Sequence, residues 1–446
     1  MKTFEQMGVK IPEILLPKKL DTKTWSVVAC DQYTQDRTYW KNAETAAEGK
    51  PSSLNIILPE VYLNDADKNA RIEKIRKTMH DYINGGIFAA PEKECVYIER
   101  TTAYGRVRHG LVCAIDLETY EWKPFSKALI RATESTIIER IPPRMEIRRG
   151  APLELPHIML LVNDPEHSVV EGTGEMVKKS GKPPLYSGNL MQNGGSITGW
   201  AVQTAEELEH FRAALENSAK HNTAQDGSVF LFAVGDGNHS LATAKAVWDE
   251  YKAAHPNEPE NSVRYALVEI VNIYDTGLTF EPIHRVVLAA EPDGLIDSLT
   301  EKLRGRKKTL ASEQALEDAV KNSTADFGFV FKKNGRTQYV LLQTDSTELA
   351  VSRFQPALDD AVQQLPGITD GGDGSRIAKP EIDYIHGSAA VFRLGEKENT
   401  VGILLPPVAK DSFFATIDGR GPLPRKSFSM GEADEKRFYL ECRRLF

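Results

Sequence analysis

The residues most able to do chemistry sit together in the stretch Gly235-Asp236-Gly237-Asn238-His239-Ser240. Six apolar residues, Val229 to Val234, precede it and read as a buried strand, and Leu241, Ala244, Val247 and Trp248 follow at helical spacing. The turn therefore delivers the chain from a strand into a helix N-terminus. Gly235 and Gly237 let the backbone bend and approach a ligand closely. The first N–H groups of a helix have no partners of their own, so a phosphate or other anion suits the position. Asp236 adds a candidate metal ligand and His239 a candidate proton carrier. The stretch is not a P-loop, which ends in Gly-Lys-Ser/Thr, and Ser240 stands where a dinucleotide fingerprint has its third glycine. A plain glycine turn capped by Asp or Asn is the alternative reading.

Four further groups could carry chemistry. Between Ala132 and Gly150 or flanking them lie Arg131, Arg140, Arg144, Arg148 and Arg149, with no lysine among them. The planar guanidinium suits bidentate recognition of phosphate or carboxylate, and a solvated arginine face is the other reading. Glu134, beside Ser135 and Thr136, is a candidate general base or metal ligand, or else part of a turn. His284-Arg285 follows an apolar segment and a proline, which places it at the edge of an element. Lys426, in Leu423-Pro424-Arg425-Lys426-Ser427, supplies a cation and neighbours a hydroxyl before the last strand.

These residues need elements to position them. WSVVAC (Trp25 to Cys30) and LNIIL (Leu54 to Leu58) read as buried strands. Asp65 to Ile83 is an amphipathic helix, with Ile72, Ile75, Met79 and Ile83 on one face and Gly85-Gly86 as its stop. Cys95 to Arg100 and Arg106 to Leu117 read as an antiparallel pair, and His157 to Val162 as another strand. The glycine-rich passage Asn163 to Gly199 reads as a mobile lid or a surface insertion. Ile197 to Val202 is a strand, and Thr204-Ala205-Glu206-Glu207 is a capping box opening a helix to about Lys220. Arg264 to Tyr274 is a long strand. After Ala290 helices (Leu295 to Leu303, Glu313 to Val320, Pro356 to Leu365) alternate with strands (Phe327 to Phe331, Gln338 to Leu342), a glycine-rich loop, Gly367 to Gly374, and a last strand from Arg437 to Phe446. The expected fold class is α+β with mixed sheets, divided into residues 1–288, which hold the chemistry, and a smaller α+β part, 289–446.

Composition bounds the answer. A chain of 446 residues, 41% hydrophobic and 26% charged, has the make-up of an ordinary globular protein of two or more domains. A net charge of −8 argues against a surface built for nucleic acid or anionic membrane. Four scattered cysteines without CxxC spacing suggest neither a zinc site nor a disulfide framework. No segment approaches the roughly 20 apolar residues that span a bilayer, so a cytoplasmic location is expected. A homo-oligomer is compatible with all of this.

The order of these motifs resembles the domain of unknown function 1015 family over nearly the whole chain. The family's Ala-Asp-Gly-His-His-Arg turn matches Gly235 to Ser240, its His-Glu-x-Thr motif matches Thr133 to Thr136, and its His-Arg-Val segment matches His284 to Val286. Its Met-Pro-x-Lys-Ser is recognisable in Leu423 to Ser427, Tyr384-Ile385-His386 sits where a similar motif is expected, and its early Ala-Ala-Pro-Pro-Tyr is faint in Ala29 to Tyr33. The Asp-Gly-x-His turn also resembles the ParB/sulfiredoxin-like superfamily, which includes partition proteins and free serine kinases. That resemblance implies a ParB/sulfiredoxin-like nucleotide-binding core and phosphoryl transfer from ATP or ADP, with Mg²⁺, to a small hydroxyl substrate, free serine first. It places Glu134, Asp236 and His239 in catalysis, Asp236 on the metal, and Gly235, Gly237, Asn238, Ser240, Arg131, Arg140, His284, Arg285 and Lys426 around the nucleotide. Asn238 and Ser240 replace a His and an Arg of the family turn, and Thr133 replaces a His. These departures favour the alternative of a nucleotide-binding regulator without turnover. Nucleic-acid binding lacks a basic groove or a helix-turn-helix pattern.

Overall fold

The computed structural model describes residues 1–370 and 376–446. Gly371, Gly372 and Gly374 of the expected glycine-rich loop lie outside the described residues. The protein is mixed α/β, and its contacts divide it into two compact units, Met1–Leu278 with Met430–Phe446, and Thr279–Ser429.

The first unit is built on a ten-stranded mixed sheet. Its strands are β1 (Val9–Lys10), β2 (Cys95–Thr101), β3 (Val107–Asp116), β4 (Tyr120–Glu121), β5 (Ile130–Ala132), β6 (Met159–Val162), β7 (Tyr186–Asn189), β8 (Ser196–Val202), β9 (Phe232–Asp236) and β10 (Tyr265–Asn272). They run in the order β7-β8-β2-β3-β10-β6-β9-β5-β4, with β1 also paired to β3. β10 and β6 are buried along their whole length, as strands covered on both faces must be. Helices α1 (Lys68–Asn84), α2 (Ile141–Arg148), α3 (Glu171–Lys179), α4 (Ala205–His221) and α5 (Asn238–Ala254) belong to the same unit. α1 buries Ile72, Ile75 and Met79 as its periodicity predicts, and α4 opens on the capping box, with the Thr204 hydroxyl and the Glu207 carboxylate each taking a backbone N–H.

Several expectations change. WSVVAC is not a strand: Thr22–Trp25 forms a helical turn, and Val28 makes only a single bridge to Phe438. LNIIL is replaced by a short 3-10 helix, Ser53–Ile56, because the hydroxyls of Ser52 and Ser53 bond to the Trp25 carbonyl and take the place of a strand partner. Within Asn163 to Gly199 the chain forms α3 and β7, and β7 pairs with β8. Two of its glycines serve contact: a Cβ on Gly174 would lie 2.1 Å from the Tyr97 ring, and one on Gly194 would lie 2.4 Å from Phe438. Residues after Met430 return to the first unit, where only Arg443–Arg444 pair as a strand, with Leu153–Glu154.

The second unit has its own antiparallel six-stranded sheet, in the order Arg306–Leu310, Arg336–Gln343, Phe327–Lys333, Thr400–Leu404, His284–Leu288, Glu381–Ile385. His284–Leu288, which precedes the boundary read at residue 288, thus pairs with strands that follow it. The core of this sheet includes stacked Phe327 and Phe354, 4.4 Å between ring centroids.

A buried charge cluster ties the first unit together. Glu269 on β10, fully buried, accepts from Arg108 Nε on β3 (3.2 Å) and Arg437 Nη1 (2.6 Å), and Arg437 also pairs with Glu441. Burial alone would raise the Glu269 pKa, but the two guanidiniums outweigh it and hold the carboxyl below its ordinary range. Gly110 makes room, since a Cβ there would lie 2.3 Å from Glu269 Oε1. Glu269→Gln would leave two buried guanidiniums short of charge and is expected to cost about 3–5 kcal/mol. All five tryptophans lie in this unit, so urea unfolding followed by tryptophan fluorescence reads the loss directly. Because the folded pKa is lowered, the wild-type contribution is present above the ordinary carboxyl value and fades as pH falls through the folded one, and Glu269→Gln should remove that slope.

Candidate functional site

Sheet register builds the site. β9 lies between β6 and β5 and runs parallel to β5, with Phe232 opposite Ile130 and Val234 opposite Ala132. Parallel strands leave a sheet at the same edge, so Thr133-Glu134 and Gly235-Asp236 emerge side by side at the carboxyl ends of their strands. Side-chain bonds then lock the two segments. The Asn238 side chain accepts from the Thr133 backbone N–H (3.1 Å) and donates to the Thr133 hydroxyl (3.2 Å), a contact between residues 105 positions apart. The Thr133 hydroxyl in turn donates to the Val234 carbonyl at 2.5 Å. One turn further on, the Ile137 N–H donates to His239 Nε2 (3.3 Å). Glu134, half-buried, therefore belongs to a segment fastened at both sides to the glycine turn.

The turn itself needs glycine. Gly237 caps α5 with φ of 79°, in the left-handed region, and contributes no side-chain cap. A Cβ at Gly237 would sit 3.1 Å from Ile158, and one at Gly235 would sit 2.9 Å from both Leu161 and Met430. The main chain thus passes close over β6, and the N-terminus of α5, the positive end of its dipole, opens at the turn.

The charges around the turn come from remote segments. Asp236 accepts the Gly237 N–H through Oδ1 (3.1 Å) and pairs through Oδ2 with Lys436 (3.2 Å), whose side chain is almost fully buried. Ser240 bonds to His157 Nε2 (2.7 Å), and His157 Nδ1 bonds to the Tyr439 hydroxyl (2.8 Å). Lys436, His157 and Tyr439 are the members of this neighbourhood that the sequence reading missed. No motif marks them: His157 begins an apolar strand, and Lys436 and Tyr439 lie about 200 positions beyond the turn.

Most of the remaining candidates have partners of their own. Arg131, buried on β5, donates to the Ala128 carbonyl (2.9 Å) and lies 4.4 Å over the Phe230 ring. Arg140 is exposed, and its carbonyl accepts from Arg144. Arg144 pairs with Glu60 (2.5 Å), Arg148 with Glu154 (2.6 Å) and Arg149 with Glu250 (2.6 Å). His284, Arg285 and Lys426 lie in the second unit. Arg285 is buried against Gln355 (2.7 Å), the Ile283 carbonyl (2.5 Å) and the Tyr384 ring, while Lys426 is exposed at a positive φ. Among the described residues no group of three or more His, Cys, Asp or Glu side chains is placed to hold a metal. No helix of the described residues is long and apolar enough to cross a membrane.

The chain belongs to the family of proteins of unknown function DUF1015, whose profile matches residues 14–364. No curated protein matches the sequence. Among solved structures, a free serine kinase variant in complex with AMP has a TM-score of 0.37 and 8% identity, over 73% of this chain and 90% of that one. A conserved hypothetical protein from Pyrococcus furiosus has a TM-score of 0.33 and 10% identity, over 75% and 97%. SbnI with C-terminal truncation from Staphylococcus aureus has 0.35 and 9%, over 72% and 82%. These likenesses are faint, and the functional reading rests on the residues of the site.

His284 can be tested by pH. Its Nδ1 accepts the Leu405 N–H (3.1 Å), and burial, with the Arg285 charge second, pushes its pKa down to about 4. A folded value below the ordinary 6.5 means that the fold favours neutral His284. The second unit should keep its full stability above about pH 6.5 and lose it progressively toward pH 4. Hydrogen exchange of the peptides around Val286 and Leu405, corrected for the intrinsic rate, should show this loss, and His284→Gln should flatten it.

Proposed function

We propose that this member of the DUF1015 family is a phosphotransferase, moving a phosphate from ATP or ADP to a small hydroxyl compound. The single observation that carries the reading is the parallel register of β5 and β9. It sets Glu134 beside a glycine turn that opens a helix N-terminus and carries Asp236 and His239. Phosphoryl transfer asks little covalent chemistry of a protein; it asks for held phosphates, neutralised charge and a base near the accepting hydroxyl.

Each requirement has a candidate. The N–H groups at the first turn of α5 would take phosphate oxygens. Lys436, already beside Asp236, would supply positive charge. Mg²⁺ is usually held by one or two carboxylates together with the phosphates of its nucleotide, and Asp236 is the carboxylate of the turn that would hold it. When bound there it would neutralise phosphate charge. His239 uses Nε2 to accept the Ile137 N–H, so its neutral ring carries the proton on Nδ1 and acts as a donor. Of the two candidates, Glu134 would then be the one to take the hydroxyl proton. In the step, a bond forms between the acceptor oxygen and phosphorus as the bond from phosphorus to the bridging oxygen breaks. The hydroxyl proton passes to Glu134, and the nucleotide leaves one phosphate shorter.

The regulator reading, binding without turnover, draws on one observation. Asn238 and Ser240, which replace a His and an Arg of the family turn, are both engaged in structural bonds, to Thr133 and to His157. Incubation with Mg²⁺, ATP or ADP and a panel of amino acids and alcohols, with free serine as the reference acceptor, decides between the two. The expected result is a phosphorylated product, with Asp236→Asn and Glu134→Gln each lowering the rate about a hundredfold or more. Calorimetry should find nucleotide binding intact in Glu134→Gln. Binding without transfer in the wild type would leave the regulator; no binding at all would remove the anion site.

A further inference from the structure

On α5, one turn into the helix, Ser240 and Thr243 form part of the wall of a cavity of about 150 Å³ within the first unit. Its walls are mostly apolar and come from distant parts of the chain: Ile57 and Leu58, Leu63, Met79 on α1, Ala151 and Leu155. That volume takes a benzene-sized group. An all-apolar cavity would need no further explanation, but this one has a polar end.

Two side chains there complement each other. Tyr439 is fully buried, and burial pushes its pKa far up, so the phenol stays neutral. Its oxygen accepts the Cys30 N–H (3.2 Å), and its hydroxyl bonds to His157 Nδ1 (2.8 Å). With the Tyr439 hydroxyl as donor to Nδ1, His157 carries its proton on Nε2 and donates to the Ser240 oxygen (2.7 Å). This direction leaves the Ser240 hydroxyl hydrogen for a further acceptor. Glu60 lines the same cavity, and Arg144 bonds twice to one of its oxygens, Oε1 (2.8 and 2.5 Å). That arrangement leaves Oε2 for a further donor. A hydroxyl is the group that both accepts and donates, so it satisfies Ser240 and Glu60 together.

We propose that this cavity is a binding site for a small alcohol with an apolar body the size of a benzene ring. Its hydroxyl lies between Ser240 and Glu60, and its body lies against Ile57, Leu58 and Leu155. The site does not require that the glycine turn transfers phosphate, because the ligand is recognised without nucleotide.

Calorimetry of the full chain without nucleotide tests it with three probes: benzyl alcohol, toluene and glycerol. Benzyl alcohol has both parts of the proposed ligand, toluene only the apolar body and glycerol only hydroxyls. Benzyl alcohol is expected to bind about tenfold or more tightly than either. Ser240→Ala should reduce it to the affinity of toluene. Ala151→Leu, which fills the cavity, should weaken it about tenfold or more. Should Ala151→Leu fold poorly, Leu155→Ala gives an opposite readout, a preference shifted from benzyl alcohol toward naphthylmethanol. Equal binding of benzyl alcohol and toluene, binding of none of the three, or an affinity indifferent to both cavity substitutions overturns the proposal. Phosphate transfer is read separately, so its absence leaves this result untouched.

Discussion

A single carboxylate with no access to water sets much of the first unit. Glu269 is fully buried on β10, and an isolated charge there would be expensive. Arg108 on β3 and Arg437 near the C-terminus answer it, and Arg437 is itself balanced by Glu441, which the Tyr186 hydroxyl also meets. Each member desolvates the next, so none can be removed alone without leaving an unmatched charge. Arg437 also donates to the Pro156 carbonyl (3.2 Å), next to His157. The cluster therefore holds the C-terminal segment along β10 and the start of β6.

That anchoring reaches the glycine turn. Lys436 immediately precedes Arg437, and Tyr439 is two residues beyond it. With Arg437 fixed, Lys436 meets Asp236 and Tyr439 meets His157, which meets Ser240. The turn thus receives its cation and its hydrogen-bonded histidine from a segment ordered by charges buried elsewhere. The partners of the turn are thus held in place by the core and not by the turn itself.

The parallel pair β5 and β9 sets the other half of the site. A one-residue slip between them would turn the side chains of one strand to the opposite face and separate Thr133 from Asn238. The two-way bond between those residues makes the register self-consistent. Gly235 and Gly237 are needed at the same place, since a Cβ at Gly235 would crowd Leu161 of β6 and Met430, and Gly237 has a left-handed φ of 79°. Packing, hydrogen bonding and backbone conformation agree at this point of the fold.

The local pieces were legible in the sequence. The helix with Ile72, Ile75 and Met79 on one face, the Thr204–Glu207 capping box, the Cys95 and Arg106 strand pair and the strand-turn-helix at Gly235 all rest on interactions within a few residues or on a hydrophobic period. Apolar content without a partner misled: WSVVAC and LNIIL are buried, yet whether a buried segment becomes a strand depends on a neighbour that pairs with it. The glycines between Asn163 and Gly199 read as a mobile lid or a surface insertion, and several of them admit aromatic rings. Only tertiary structure could join Glu134 to the turn, bring Lys436 to Asp236, and commit Arg131 to Phe230 and Arg285 to Gln355. The physical reason is range. Propensity, capping and periodicity act along a few residues of chain, whereas strand register and the pairing of buried charges are decided by which distant groups are desolvated together.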